Sequence, residues 1–190
     1  MAATHILDPK PDHSHTHTII LLHGKGSDCR QFTDEFYESE TSMPRDPLQP
    51  HLLSELFPTR FDCDESQWFD MWSVEDLELS IGQILEVITK EEKFIQREKI
   101  FLGGISQGSA TTYAASCYTH LGFAGLVGLC SWLPSAALTQ LQLGKDNIPQ
   151  PPYQHKTPVL LAHSTDDNVV PVNEGRRLRD TLQKSENYTV

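Results

Sequence analysis

The sequence predicts an α/β fold with a doubly wound, mostly parallel sheet, and three observations carry that expectation. Short apolar runs rich in branched residues alternate with longer segments of helical periodicity, the order expected of βαβ units. One such run leads into Gly103-Gly104-Ile105-Ser106-Gln107-Gly108, a G-x-S-x-G turn followed by a small-residue segment able to pack as a helix. The residues able to do chemistry, among them Gly24 to Gly26, Ser106 and Asp167, fall just beyond apolar runs, where sites in open α/β sheets lie.

Thr18 to His23 (Thr-Ile-Ile-Leu-Leu-His) is continuously apolar and branched, which predicts a strand buried on both faces. Residues 1–17 ahead of it read as a flexible N-terminus, and 18–190 as one domain. Gly24-Lys25-Gly26-Ser27-Asp28 then turns the chain. Phe32 and Phe36, four apart among polar residues, predict an amphipathic helix over about 29–39. Leu48 to Leu56 predicts another helix, broken by Pro50, before a short strand near 56–59. Over 75–93, Leu77, Ile81, Ile84, Leu85 and Ile88 recur at helical spacing, with acidic residues in the first turn and Lys90 and Lys93 near the end, as the helix dipole favours.

A strand over 100–104, the serine turn and a helix through Ser109 to Tyr118 follow, then a strand from Phe123 to Cys130. Residues 135–156 are rich in Gln and Pro and read as a loop. Pro158 to His163 resumes the sheet, Asn173 to Lys184 predicts a helix capped by Asn173, and 188–190 begins a further strand.

Composition narrows the function classes. With 190 residues, 38% of them hydrophobic, the chain can bury one sizeable core. A net charge of −11, with no long block of Lys or Arg, argues against a nucleic-acid partner or an anionic membrane surface. Arg176, Arg177 and Arg179 read as a solvated helix face. No apolar run approaches the roughly 18 residues of a membrane helix. Cys29, Cys63, Cys117 and Cys130 show no C-x-x-C spacing, and the N-terminus lacks a signal peptide's apolar stretch, so a reducing cytoplasm is the expected compartment. His13, His15 and His17 alternate without a carboxylate or cysteine at ligand spacing, so neither a metal nor any other cofactor is expected.

A G-x-S-x-G arises by chance in about one chain in fifteen of this length. Its context here is what makes it informative: a strand ahead, a helix behind, and glycines where a strained turn leaves no room for side chains. Acyl transfer needs a nucleophile, a base oriented by a carboxylate, and donors for the tetrahedral oxyanion. Ser106 fits the first role, and the N–H groups of Gln107 and Lys25 fit the last.

Five segments then match a family in order. His23-Gly24-Lys25-Gly26-Ser27-Asp28, Trp68-Phe69-Asp70, Gly103 to Gly108, Cys130-Ser131-Trp132-Leu133-Pro134 and Asp167-Asn168-Val169-Val170-Pro171 resemble the motifs of the phospholipase/carboxylesterase family of α/β-hydrolases, which includes acyl-protein thioesterases. The resemblance implies a cytoplasmic serine hydrolase acting through an acyl-enzyme on an acylated protein, a lysolipid or a small acyl ester. It assigns the triad acid to Asp167, with Asp166 as second choice. Trp68, Phe69, Trp132 and Leu133 suit either an acyl pocket or plain core. The chain departs from the family at Lys25, where an apolar residue is common, at Ser109, where glycine is common, and at His163-Ser164, where the family has His-Gly.

The base is the expected gap. The family's triad histidine follows the acid, yet no histidine follows Asp167. His5, His13, His15 and His17 precede the first strand, about 17–20 Å from its carboxyl end, and His51 and His155 enter strands from the same wrong edge. His120 lies about 21 Å down the helix that follows Ser106. Only His23 and His163 lie at the right edge, and the resemblance gives both a structural role. The sequence therefore reads as a hydrolase domain lacking its last strand and helix. An inactive acyl-binding relative and an incomplete fragment are the alternatives.

Overall fold

A computed structural model describes residues 5–7, 14–32, 52–57, 74–119, 122–135, 137, 139 and 156–190. Its strands are β1 (His5–Leu7), β2 (His17–Leu22), β3 (Leu52–Phe57), β4 (Ile100–Ile105), β5 (Gly125–Leu129), β6 (Thr157–Ala162) and β7 (Tyr188–Thr189). The long helices are α1 (Val74–Glu91), α2 (Gln107–Thr119) and α3 (Val172–Gln183).

The strands form one sheet in the order β1-β3-β2-β4-β5-β6-β7, parallel throughout except for antiparallel β1. The order turns back on either side of β2 and β4, which puts Ser106 and the loop after β2 beside each other at the carboxyl edge. This is the doubly wound, mostly parallel sheet that the alternation of elements implied.

Two expectations need correction. Where a helix is expected over 48–56, residues 52–56 belong to a strand, β3, whose six residues pair in parallel with β2 from His17 opposite Leu52 to Leu22 opposite Phe57. A short leucine-rich run cannot be told from a helix by periodicity, and pairing with a buried strand decides it. Residues 5–7, expected within a flexible N-terminus, form edge strand β1 against β3. Most of the helix expected over 29–39, residues 48–51, residues 58–59 of the strand expected near 56–59 and most of the 135–156 loop lie outside the described residues; 29–32 is helical, and 56–57 is strand within β3.

Alternation along the strands sorts the core. Ile20 and Leu22 of β2, Leu102 of β4, Leu126 of β5 and Val159 of β6 are buried with Leu77, Ile81, Ile84 and Ile88 of α1, Tyr113 and Ala114 of α2, and Leu178 and Leu182 of α3. Leu21 and Phe32 form a smaller cluster, with Ile19 and Ile105 packed on it. Small residues let α2 approach the sheet. A Cβ at Gly128 would meet the Tyr113 ring at 2.7 Å, so glycine there is what leaves room for the tyrosine against β5.

At the far edge, a buried polar group ties β2 to α1. Thr18 donates its hydroxyl to Glu91 Oε2 at 2.8 Å, and His15 Nε2 lies 2.8 Å from the same hydroxyl. This places His15 at the amino end of β2, the edge away from Ser106.

Candidate active site

β4 delivers Ser106 to the carboxyl edge in a left-handed conformation, φ 53°, which a non-glycine residue adopts only under constraint. The constraints are visible. Ser106 N–H donates to Leu129 O at 2.8 Å, its carbonyl accepts from Ala110 N at 3.0 Å to open α2, and Ser131 Oγ donates to the same carbonyl at 3.2 Å. A Cβ at Gly104 would lie 2.7 Å from Gly108 C and Ser109 N, and one at Gly108 would collide with the Leu22 and His23 carbonyls. Both glycines of the G-x-S-x-G turn are thus required by backbone packing, in line with the sequence reading.

The loop after β2 lies against this turn, its Gly24 within van der Waals contact of Ser106: a Cβ there would sit 3.7 Å from that of the serine. His23 is fully buried and its Nδ1 donates to Gly24 O at 2.8 Å. Burial pushes its pKa below the usual histidine value, so it is held neutral. Gly24 O also accepts from Ser27 N, and Gly26 has φ 84°, the signature of a turn that needs glycine at its third position. Lys25, the second residue of that turn, has its side chain exposed. Asp28 Oδ1 accepts from the N–H groups of Arg30 and Gln31 and caps the helical turn at 29–32. Gln107 opens α2, and N–H groups of a first helical turn point toward an approaching anion.

Asp167 lies beyond β6. Its Oδ1 accepts from Val169 N and Val170 N, each at 2.8 Å, and these two bonds hold its pKa below the ordinary carboxylate value. Its Oδ2 is 3.6 Å from His163 Nε2. Asp166, by contrast, is exposed and is bonded by the Ser164 hydroxyl, the main reason its own pKa is lowered. His163 directs Nε2 to Val170 O at 2.7 Å, and its ring rests on Gly175 of α3, where a Cβ would meet Cγ at 3.1 Å. The expected cap of α3 is corrected as well. Pro171 occupies the N-cap position, and Asn173 lies inside the helix with its Oδ1 accepting from Arg176.

No imidazole bridges Ser106 and Asp167 among the described residues. The two histidines at this edge both bond main-chain carbonyls. Trp132 and Leu133, half-buried, follow Ser131 and pack against the main core; Trp68 and Phe69 lie outside the described residues.

Sequence reasoning missed one grouping. Cys130, at φ 48° beyond β5, places its thiol with His163 and Asp167 so that one ligand atom from each lies within 4.8 Å of the others. The available signal was positional, since Cys130 and His163 each directly follow one of two neighbouring strands.

A family model for phospholipase/carboxylesterase matches residues 6–190. Acyl-protein thioesterase 1 of Yarrowia lipolytica is 28% identical over 188 residues, covering 89% of this chain and 77% of the relative. Acyl-protein thioesterase 1 of Saccharomyces cerevisiae is 26% identical over 186 residues, covering 88% and 78%. Among solved structures, the Bacillus cereus carboxylesterase superposes with a TM-score of 0.71 at 15% identity, over 100% of this chain and 83% of that one. Zea mays acyl-protein thioesterase 2 superposes at 0.68 and 21% identity, over 99% and 87%.

Proposed function

The chain belongs to the phospholipase/carboxylesterase family of ester and thioester hydrolases, and from that premise we propose that Ser106 accepts the acyl group in a covalent acyl-enzyme. The observation that carries this reading is the left-handed Ser106 turn, with both flanking glycines closed against backbone and Gly24 beside it. In the proposed step, Ser106 Oγ bonds to the acyl carbon while its proton passes to a base such as added free imidazole, since His23 and His163 are engaged with main-chain carbonyls. The tetrahedral oxyanion is held by the Gln107 and Lys25 N–H groups, and the thiol or alcohol leaves with that proton. Water then repeats the sequence and frees the acid. Asp167 supplies the orienting carboxylate in this reading, supported by one oxygen being fixed by two N–H groups while the other lies 3.6 Å from His163 Nε2.

Substrates of this reading are acylated proteins, lysolipids or small acyl esters, and the reducing compartment suggested by cysteine usage fits such a hydrolase. None of the described helices is long and apolar enough to cross a membrane.

A second reading, an acyl-binding relative without turnover, draws on the engagement of His23 and His163 with main-chain carbonyls. Chemical rescue separates the two. Free imidazole, which can take the place of a histidine side chain, should raise p-nitrophenyl ester hydrolysis several-fold more in the 190-residue chain than in Ser106→Ala. Identical imidazole dependence in the two proteins would sink the acyl-enzyme and leave binding alone.

A further inference from the structure

We propose that Cys130, His163 and Asp167 form a binding site for a divalent transition metal, with Zn²⁺ the best fit. A thiolate, an imidazole and a carboxylate are the three ligand types zinc prefers, at about 2.0–2.3 Å, with a fourth position left for water. The edge of such a tetrahedron is about 3.3–3.7 Å by those bond lengths. His163 Nε2 and Asp167 Oδ2 already stand 3.6 Å apart, and the full set lies within 4.8 Å. The side chains of His163 and Asp167 are 9% and 15% exposed, sheltered enough to limit competition from bulk water yet open to an entering ion.

Each ligand is also held from behind, as working metal sites require. Asp167 Oδ1 is fixed by two backbone donors, which leaves Oδ2 directed at the other two groups. The His163 ring is seated on Gly175 with Nδ1 toward the α3 backbone, and Nε2, which donates to Val170 O at 2.7 Å, has to turn from that carbonyl to reach an ion. Cys130 is anchored by its N–H to Ala162 O at 2.8 Å, and its thiol bonds Asp167. On binding, the thiol proton leaves to solvent, the Nε2 bond to Val170 O is replaced by the metal bond, and the ring proton moves to Nδ1. The charge-relay alternative, a Cys–His–Asp catalytic line, is not what these atoms form, because the thiol and Nε2 both face the same carboxylate.

One consequence rests on the function proposed above: a metal here occupies the Asp167 oxygen needed to orient an imidazole, so binding would block the acyl transfer that added imidazole supports. The test of the site itself avoids turnover. Co²⁺ added to the metal-free 190-residue chain should bind in one equivalent with a thiolate-to-cobalt band in the near ultraviolet. Cys130→Ser, nearly the same size, should abolish that band, and Asp167→Asn should weaken binding about tenfold or more. Independently, Zn²⁺ should slow alkylation of Cys130 by iodoacetamide at least about tenfold, read by peptide mass spectrometry. A cobalt band that persists in Cys130→Ser, no band at all, or alkylation of Cys130 unaffected by zinc overturns the site, and any of these leaves the hydrolase reading standing.

Discussion

Gly108 is where the serine turn tolerates least. A Cβ there would collide with two main-chain carbonyls, Leu22 O at the end of β2 and His23 O just beyond it. Gly108→Ala should therefore cost about 3 kcal/mol or more, a fall in Tm on the order of 10 °C, readable by thermal unfolding. His23 gives a pH signature. Its folded pKa lies below the unfolded 6.5, so the unfolded chain binds the proton more readily. Stability is then intact above pH 6.5 and falls as the pH drops from there toward the folded value. His23→Asn, which keeps a donor for Gly24 O, should flatten that part of the Tm-against-pH curve. Equal slopes in the two proteins would mean the buried ring is not the group titrating. At this scale the serine turn was legible, because glycine spacing reports backbone crowding directly. The Cys130 cluster was not, since it exists only once β5 and β6 are placed side by side.

At the scale of elements, helical periodicity locates α1, the small-residue run after the serine turn locates α2 and continuous apolar runs locate the central strands, while short signals fail. β3 reads as helix in the sequence because Leu52, Leu53 and Leu56 satisfy a helical face as well as a strand, and only pairing with both β1 and β2 resolves them. Asn173 has the chemistry of a cap, yet the N-cap is Pro171, whose carbonyl accepts from Glu174 N. A glycine inside an element offers the converse test to Gly108. Gly82 lies mid-α1, exposed, with nothing within 4 Å of where a Cβ would lie. Gly82→Ala should stabilise by about 0.5–1 kcal/mol, through helix propensity alone. Loss of stability there would show that α1 packs against something on that face.

At the scale of the whole molecule, the sheet brings a strained serine, a turn after β2 and a constrained carboxylate to one edge, as the order of motifs implied. If Trp68, Phe69, Trp132 and Leu133 line an acyl groove, binding of non-hydrolysable acyl thioethers should tighten with chain length by up to about 0.8 kcal/mol per buried methylene. A flat series would assign those side chains to the core, where Trp132 and Leu133 already make contacts. Among the described residues, the two histidines at the carboxyl edge, His23 and His163, each bond a main-chain carbonyl, so neither is placed as the base in this geometry. Removing the base from a serine hydrolase costs about six orders of magnitude in turnover. The most direct measurement is p-nitrophenyl acetate hydrolysis by the 190-residue chain beside Ser106→Ala, without added imidazole. The account predicts no Ser106-dependent turnover above background; robust turnover lost in Ser106→Ala would contradict it and make His23 or His163 the base.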